Sequence, residues 1–199
     1  LQRHTMFSWN AIISSFVDFG QNEEALVLFE SMMLDCNQVE PDSYTYVSLF
    51  KACGNAINAM VGRKLHAVVC MEGYSSDAFV VSTLISMYGK VGQVLEAELV
   101  FLALPEHNVV SWNVLITGYV ESGCDDNALQ CFEDMQKIGI VPDVITFVSI
   151  LKCCTNVINI VKGWELHTYM IQTGLKFDLF LSNALIDMYA KCGLLADAH

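Results

Sequence analysis

Three asparagines recur at the same point of a repeated pattern, and aspartates close the repeats that contain two of them. Asn10 lies in SWNAIISSF and Asn113 in SWNVLITGY, whereas Asp42 and Asp143 follow a downstream proline. Asn183 lies at the same point of NALIDMYAKCG. An asparagine amide both donates and accepts hydrogen bonds, so it can pair with the edge of an unstacked base. A neighbouring aspartate can fix the orientation of that amide.

Helix capping is the second explanation for these residue types. A single asparagine near the start of a helix is most often an N-cap or a solvated surface residue. The aspartates that end successive repeats can accept hydrogen bonds from the first turn of the next helix; they are Asp42, Asp77, Asp143 and Asp178. Because three asparagines share one phase, we interpret them as ligand-reading residues. The aspartates can serve in both roles.

The elements that carry these residues are pairs of amphipathic helical patterns. The first pattern of a pair breaks at a glycine, as at Phe19-Gly20, and the second ends near a proline such as Pro41. The segment KLHAVV returns later as ELHTYM, and STLISMYGKVG returns as NALIDMYAKCG. The best strand candidate, VITFVSIL, occupies the same point of the cycle as SYTYVSLF. We predict that it is helical, because it lacks period-two alternation between turn residues.

This repetition predicts an all-α fold, a right-handed superhelical α-solenoid of helix-turn-helix repeats. One unit alone cannot bury its apolar face, whereas stacked units can, and they leave a concave surface lined by the first helix of each pair. The first complete unit has two extra residues around Leu34–Gln38. The predicted units are 1–5 (the end of a truncated repeat), 6–42, 43–77, 78–108, 109–143, 144–178 and 179–199 (truncated).

Composition and charge exclude several classes of protein. Hydrophobic residues make up 54% of the 199 residues and charged residues 16%, which argues against disorder. The richest apolar run, Val144–Leu151, is too short to cross a bilayer, and no membrane partner is expected. No signal or transit peptide is visible. The net charge of −12 argues against a general nucleic-acid binder, because phosphate neutralisation supplies most non-specific affinity.

No pattern in the sequence predicts catalysis, a metal site or a cofactor. The eight cysteines form no C-x-x-C pair, so we expect free thiols in a reducing compartment. His66 and His167 lie among apolar residues with no second ligand at metal spacing, and are interpreted as packing residues. Zinc-deaminase, phosphate-loop and nucleophile-elbow motifs are all missing. We therefore expect a binding module and not an enzyme.

Several segments resemble the consensus of pentatricopeptide repeat (PPR) proteins: SWNAIIS, EEALVLFESM, VEPD, VVSWNVLITGYVESG and NALIDMYAKCG. The succession of 35-, 35- and 31-residue units resembles the P, L and S motifs of the plant PLS subfamily. In those terms 6–42 and 109–143 are P-type, 43–77 and 144–178 are L-type, and 1–5, 78–108 and 179–199 are S-type. Tetratricopeptide repeats share the Ala-x-x-x-Phe of Ala25–Phe29 but keep a steady 34-residue period. A solenoid that binds a peptide or partner protein therefore stays the alternative.

The resemblance implies that the chain binds single-stranded RNA, with one base per repeat read by the fifth and last residues of each motif. Under the family code, the Asn-Asp pairs prefer uridine over cytidine, the Ser-Asn pair prefers adenine, and the Val-Asp pairs of L motifs have no dependable preference. Asn183 alone suggests a pyrimidine. The implied site is roughly 5′-Y-N-A-Y-N-Y-3′. The pairs are Asn10 with Asp42, Val47 with Asp77, Ser82 with Asn108, Asn113 with Asp143, and Val148 with Asp178.

The second residue of each motif is expected to flank the bases. These residues are Phe7, Tyr44, Phe79, Val110, Ile145 and Phe180. Stacking on an aromatic platform contributes about 1–3 kcal/mol per base. Packing between repeats is the other interpretation of the aromatic members.

The resemblance also implies a biological setting. The PLS arrays that this chain resembles belong to factors for organellar RNA processing, including C-to-U RNA editing, in the mitochondrion or chloroplast. The expected partners are an organellar transcript and other RNA-editing factors, and no DNA. Deaminase activity in such factors lies on a C-terminal extension or on a partner.

Overall fold

The computed structural model describes residues 5–34 and 39–193, and the described residues form helices, turns and short connections with no strand. A 3-10 turn covers Tyr74–Ser76. The α-helices are α1 Met6–Asp18, α2 Asn22–Met33, α3 Ser43–Asn55, α4 Ala59–Met71, α5 Ala78–Lys90, α6 Val94–Leu102, α7 Val109–Glu121, α8 Asp125–Lys137, α9 Val144–Asn156, α10 Ile160–Gln172 and α11 Leu179–Lys191. The strand candidate VITFVSIL lies inside α9 and is helical, as predicted. The insertion at 35–38 and parts of the terminal units 1–5 and 179–199 lie outside the described residues.

The helices pack in two layers within each of two compact units, Leu1–Pro105 and Glu106–His199. In the first unit, α1, α3 and α5 lie side by side; α2 packs on α1 and α3, α4 on α3 and α5, and α6 on α5. In the second unit, α7, α9 and α11 lie side by side; α8 packs on α7 and α9, and α10 on α9 and α11. We call α1, α3, α5, α7, α9 and α11 the first helices, and α2, α4, α6, α8 and α10 the second helices. The all-α solenoid predicted from the repeats is confirmed.

Each first helix begins with a side-chain N-cap. A side-chain oxygen of the capping residue accepts a hydrogen bond from a backbone N–H of the first turn, which is otherwise unsatisfied. Such a cap contributes about 1 kcal/mol. The six caps are Thr5, Asp42, Asp77, Asn108, Asp143 and Asp178. Their spacing along the chain therefore sets where each first helix starts.

The core lies between the two layers of each unit. Tyr46, Leu49 and Phe50 of α3 are fully buried in the first unit, and the corresponding part of α9 is fully buried in the second. Burying one such side chain stabilises the fold by roughly 1.5–3 kcal/mol. Trp9 and Trp112 are buried as well.

Close approach of α4 to α5 depends on a glycine. A Cβ added at Gly62 would lie 2.7 Å from the Sδ of Met87, which is itself buried. Gly163 and Met188 repeat this contact between α10 and α11. His66 also links α4 to α5, because its Nδ1 lies 2.9 Å from the Tyr88 hydroxyl. Both histidines are thus packing residues with a hydrogen-bonded tyrosine partner, since His167 Nδ1 lies 2.8 Å from the Tyr189 hydroxyl.

The described cysteines are free thiols, and three of them are buried. Burial raises the pKa of both Cys53 and Cys154 to about 12. These two thiols therefore stay protonated at neutral pH and pack as small apolar side chains. Among the residues that the structure describes, no group of histidine, cysteine and acidic side chains is arranged to hold a metal ion. Within the same residues, no helix has the length and apolar character needed to span a membrane.

Candidate nucleic-acid interface

Asn10 and Asp42 meet at the start of α1 and α3. The Asn10 Nδ2 donates to both carboxylate oxygens of Asp42, over 2.9 and 3.0 Å. Asp42 Oδ1 simultaneously accepts the backbone N–H of Thr45 over 3.0 Å, as the N-cap of α3. One carboxylate therefore both caps a helix and orients an amide, so the two interpretations of this aspartate hold together.

The same arrangement recurs in the second unit. Asn113 Nδ2 donates to Asp143 Oδ1 over 2.9 Å, and Asp143 caps α9 by accepting the backbone N–H of Thr146 over 3.0 Å. Asn10 is half-buried, whereas only 5% of Asn113 is exposed. Neither asparagine caps a helix, because Thr5 caps α1 and Asn108 caps α7. Capping is therefore the wrong interpretation for both of these asparagines.

A groove of about 550 Å³ opens directly over the first of these pairs. Asn10 and Asp42 lie in its wall, together with Phe7 and Tyr44 from the first turns of α1 and α3. Phe7 is 84% exposed and Tyr44 is 75% exposed. Exposed aromatic rings beside an oriented amide provide a place for a flat, polar-edged ring to stack and to hydrogen-bond.

The second residues of all six motifs are exposed at the starts of the first helices. Phe79, which could have packed between repeats, is 79% exposed, and Phe180 is similarly open. Val110 lies in the first turn of α7, which carries Asn113, Ile145 lies in the first turn of the adjacent α9, and both side chains are exposed. Large apolar side chains in water carry a cost, and their recurrence at one position indicates a shared use.

The L-type positions bring no polar pair together. Val47 and Val148 are half-buried and have no side-chain donor or acceptor. Asp77 accepts the backbone N–H groups of Phe79 and Val80 over 2.9 and 3.1 Å, and Asp178 accepts that of Leu181 over 2.8 Å. Both aspartates act as helix caps here.

The remaining predicted residues lie at the expected helix positions. Ser82 is half-buried on α5 in the first unit, and Asn183 is exposed on α11 in the second. Asn108 is exposed and caps α7, where its Oδ1 accepts the backbone N–H of Ser111 over 3.0 Å.

Sequence reasoning missed two threonines that touch the asparagines. The Thr45 hydroxyl donates to Asn10 Oδ1 over 2.7 Å, and the Thr146 hydroxyl to Asn113 Oδ1 over 2.5 Å. Both threonines are fully buried. Their signal in the sequence is the shared Pro-Asp-x-x-Thr of 41–45 and 142–146, which by itself reads as a capping box.

Negative charge is concentrated on the second helices. The first helices carry Asp18, Glu121 and Asp187 against Lys51, Lys90, Lys152 and Lys191. The second helices carry ten acidic residues, among them Glu23, Glu24, Asp125 and Asp126, against Arg63, Lys64, Lys137 and Lys162. The caps Asp42, Asp77, Asp143 and Asp178 lie at the starts of the first helices, so the layer that holds the asparagines is acidic as well, but less so than the second helices.

Comparison with known proteins agrees with this architecture. The model of the PPR repeat family matches residues 4–55 and 107–156, and the PPR repeat model matches 79–109 and 180–199. The chain belongs to the PPR family. An Arabidopsis thaliana pentatricopeptide repeat-containing protein is 36% identical over 97% of the chain and 32% of its own length. A chloroplastic A. thaliana member is 36% identical over 96% of the chain and 36% of its length. A mitochondrial one, described as putative, is 35% identical over 96% and 30%.

The PPR chain spans about a third of the length of these relatives. Among solved structures, maize PPR10 aligns with a TM-score of 0.75 and 20% identity, over 99% of this chain and 29% of PPR10. PPR10 in complex with an 18-nt psaJ RNA element aligns with a TM-score of 0.77. At 20% sequence identity, the similarity to PPR10 shows a shared fold only.

Proposed function

We propose that this PPR chain is a recognition module for single-stranded RNA, in which successive motifs each take one base. The observation that carries the proposal is the groove between α1 and α3. It combines the oriented Asn10–Asp42 pair with the exposed rings of Phe7 and Tyr44. Unstacked bases bind proteins through ring stacking and edge hydrogen bonds, and this groove offers both.

The proposed reading atoms are the unused half of each asparagine amide. An amide has two N–H donors and two carbonyl lone pairs. In Asn113, Asp143 takes one donor and Thr146 one lone pair. One N–H and one lone pair are left for a base edge, in an orientation that the carboxylate keeps from flipping. A fixed donor and acceptor is what preference between uridine and cytidine requires.

In the proposed register, the motifs at 6–42 and 109–143 select uridine over cytidine, the motif at 78–108 selects adenine through Ser82 and Asn108, and Asn183 selects a pyrimidine. The L-type motifs, with Val47 and Val148, accept any base. The preferred RNA is then roughly 5′-Y-N-A-Y-N-Y-3′. Phe7, Tyr44, Phe79, Val110, Ile145 and Phe180 flank the bases, and stacking adds about 1–3 kcal/mol for each aromatic platform.

The distribution of charge lessens the repulsion expected between RNA and a chain of net charge −12. The first helices and their aspartate caps carry seven acidic residues against four lysines, whereas the second helices carry ten acidic residues against four basic ones. Screening at physiological salt acts over about 8 Å, which weakens repulsion from the second layer.

We further propose that the chain is part of a PLS-type array in an organellar RNA-processing or C-to-U editing factor, with other editing factors as partners. Two observations support this. The second helix of unit 78–108, α6, has 9 residues, whereas the other second helices have 12 or 13. Relatives over nearly the whole chain include one named chloroplastic and one named mitochondrial. In this proposal the chain recognises RNA and catalyses nothing.

A protein-binding solenoid is the second candidate function. Its supporting observation is a shallow surface of about 690 Å³ on α10, where Val161 and Trp164 are exposed beside Tyr169. An exposed tryptophan among apolar side chains is typical of protein contacts.

The test is a binding assay at low salt with 5′-UNAUNU-3′ and with its counterpart in which U and A are exchanged. We expect the first RNA to bind more tightly. Equal or negligible binding of both would exclude the RNA proposal and favour the protein-binding candidate.

In the same assay, Asn113→Ala should weaken discrimination at one base by about 1–3 kcal/mol. A uniform loss across all RNAs would show that Asn113 does not read a base.

A further inference from the structure

Each oriented asparagine is held from two sides, and the second side is a threonine of the following repeat. Thr45 lies in the first turn of α3 and donates to Asn10 Oδ1, and Thr146 lies in the first turn of α9 and donates to Asn113 Oδ1. The threonine is the third residue of its motif. We propose that this third residue is a positioning residue for base reading, so that each reading unit has three members and not two.

The hydrogen-bond inventory explains what the threonine adds. The Thr146 hydroxyl has one proton, and the backbone N–H of Asp143 already occupies one of its lone pairs over 3.1 Å. The oxygen of Asn113 is the nearest acceptor for that proton, at 2.5 Å, and Asp143 Oδ1 is farther, at 3.0 Å. With Asp143 alone, the amide can still swing about its single N–H···O hydrogen bond. With a donor on the carbonyl side as well, the plane of the amide is fixed.

Because the two threonines are buried, their hydroxyl groups are hard to replace. Thr45 and Thr146 are fully buried, so no water can replace a lost hydroxyl without entering the packed interface between first helices. A buried polar group that loses its hydrogen-bond partner destabilises the folded chain. The amide would therefore turn to find another partner, and its free donor and acceptor would move with it.

Throughout this chain, the residue type at the third position correlates with the residue type at the fifth position of the preceding motif. Threonine follows where the fifth residue is asparagine, as in Asn10 with Thr45 and Asn113 with Thr146. An apolar residue follows where the fifth residue is valine, as in Val47 with Val80. Leu181 likewise follows Val148, and Ser111 follows Ser82. Capping alone does not account for this pairing, because α5 and α11 are capped by Asp77 and Asp178 without a third-residue hydroxyl.

The inference rests on the proposed RNA function and is tested by Thr146→Val, which removes the hydroxyl and keeps the shape, and by Thr146→Ser, which keeps the hydroxyl. Binding is measured to RNAs that carry U or C at the base assigned to motif 109–143. We expect Thr146→Val to reduce the preference for U by about tenfold and Thr146→Ser to retain most of it. Ser8→Ala is the matched control, because Ser8 completes a capping box at α1 and contacts no asparagine.

The outcomes separate the two proposals. If the wild-type chain has no preference between U and C, the proposed function fails at this motif. If the wild type discriminates and Thr146→Val discriminates equally well, the function stands and the positioning role is overturned. If Ser8→Ala reduces the preference as much as Thr146→Val, the effect is general helix fraying, and the positioning role is again overturned.

Two further measurements do not depend on loss of function. In the chain without RNA, the Asn113 side-chain amide protons should exchange faster in Thr146→Val than in the wild type, by NMR, and unchanged exchange contradicts the inference. In the first L-type motif, Val47→Asn combined with Val80→Thr should create a base preference where Asp77 is already present. Val47→Asn alone should create a weaker one, and an equal preference in both variants overturns the inference.

Discussion

The Asn113 amide donates to Asp143 over 2.9 Å, and the same carboxylate oxygen accepts the first-turn N–H of Thr146. A helix cap and the proposed reading pair thus share one atom. Any substitution of Asp143 therefore alters both the stability of the protein and the orientation of the Asn113 amide. Asp178 allows the effect on stability to be measured alone. It caps α11 and is the last residue of a motif whose fifth residue, Val148, has no amide to orient.

Asp178→Ala should lower the free energy of unfolding by about 0.5–2 kcal/mol, because it removes one N-cap. Asp143→Ala should lower it further, because it removes an N-cap and also the carboxylate partner of the nearly buried Asn113 amide. Asp143→Ala alone should also reduce discrimination between U and C at one base. Chemical denaturation measures the first effect and RNA titration the second. A loss of discrimination with Asp178→Ala would contradict the distinction between the two aspartates.

Tyr44→Ala should weaken RNA binding by about 1–3 kcal/mol, because it removes a stacking platform from the groove beside Asn10. Its ring is mostly exposed, so thermal stability should hardly change. Tyr44→Phe retains the ring and should bind as the wild type does. A matched control is Phe19→Ala, which removes an exposed ring from the opposite end of α1. If Phe19→Ala weakens binding equally, the groove is not the RNA site.

Ile57 and Ile158 hold a left-handed backbone conformation, with φ of 53° and 51°, in the turns before α4 and α10. The corresponding turns before α6 and α8 use Gly92 and Gly123. A β-branched residue in this conformation costs roughly 1–2 kcal/mol. Both isoleucines are mostly exposed, and the residue with which Ile57 would form an N-terminal hydrophobic staple at α4 is Gly62, which has no side chain.

Ile57→Asn should therefore stabilise the protein by about 1 kcal/mol, because asparagine tolerates the left-handed region. Ile57→Gly should stabilise it less, since glycine gives the unfolded chain about 0.4–1 kcal/mol of extra conformational freedom. Ile158→Asn should repeat the result in the second unit. Thermal denaturation checks all three, and destabilisation by both asparagine variants would mean that the isoleucine side chains make stabilising contacts.

Burial of His66 in the cavity that it shares with Tyr88 and Glu96 lowers its pKa below the usual value of 6.5. The unfolded chain then binds a proton that the folded chain resists, so the stabilising contribution is complete above about pH 6.5 and decreases as the pH falls below it. The free energy of unfolding should fall more steeply between pH 7 and 5.5 in the wild type than in His66→Gln. Parallel curves for the two proteins would show that the pKa of His66 is the same in the folded and unfolded chains.

Most of the fold followed from local patterns. The first helices begin at Met6, Ser43, Ala78, Val109, Val144 and Leu179, where the predicted units begin, because a side-chain cap precedes each of them and an apolar stripe follows. The sequence did not decide whether Phe79 and Phe180 are exposed, because an aromatic residue at the start of a helix can either pack between repeats or lie at the surface. Only the placement of neighbouring helices decided between these.

The sequence by itself determined the repeat, the helical fold, the family and the pairing of Asn10 with Asp42 and of Asn113 with Asp143, since these depend on periodicity and residue type. Tertiary structure decided which atoms meet. Asn113 and Thr146 are far apart in the chain and carry no shared short motif, and their contact exists because α7 and α9 pack side by side. The left-handed conformation of Ile57 was likewise invisible in the sequence, because a φ angle is set by the geometry of the turn and not by composition.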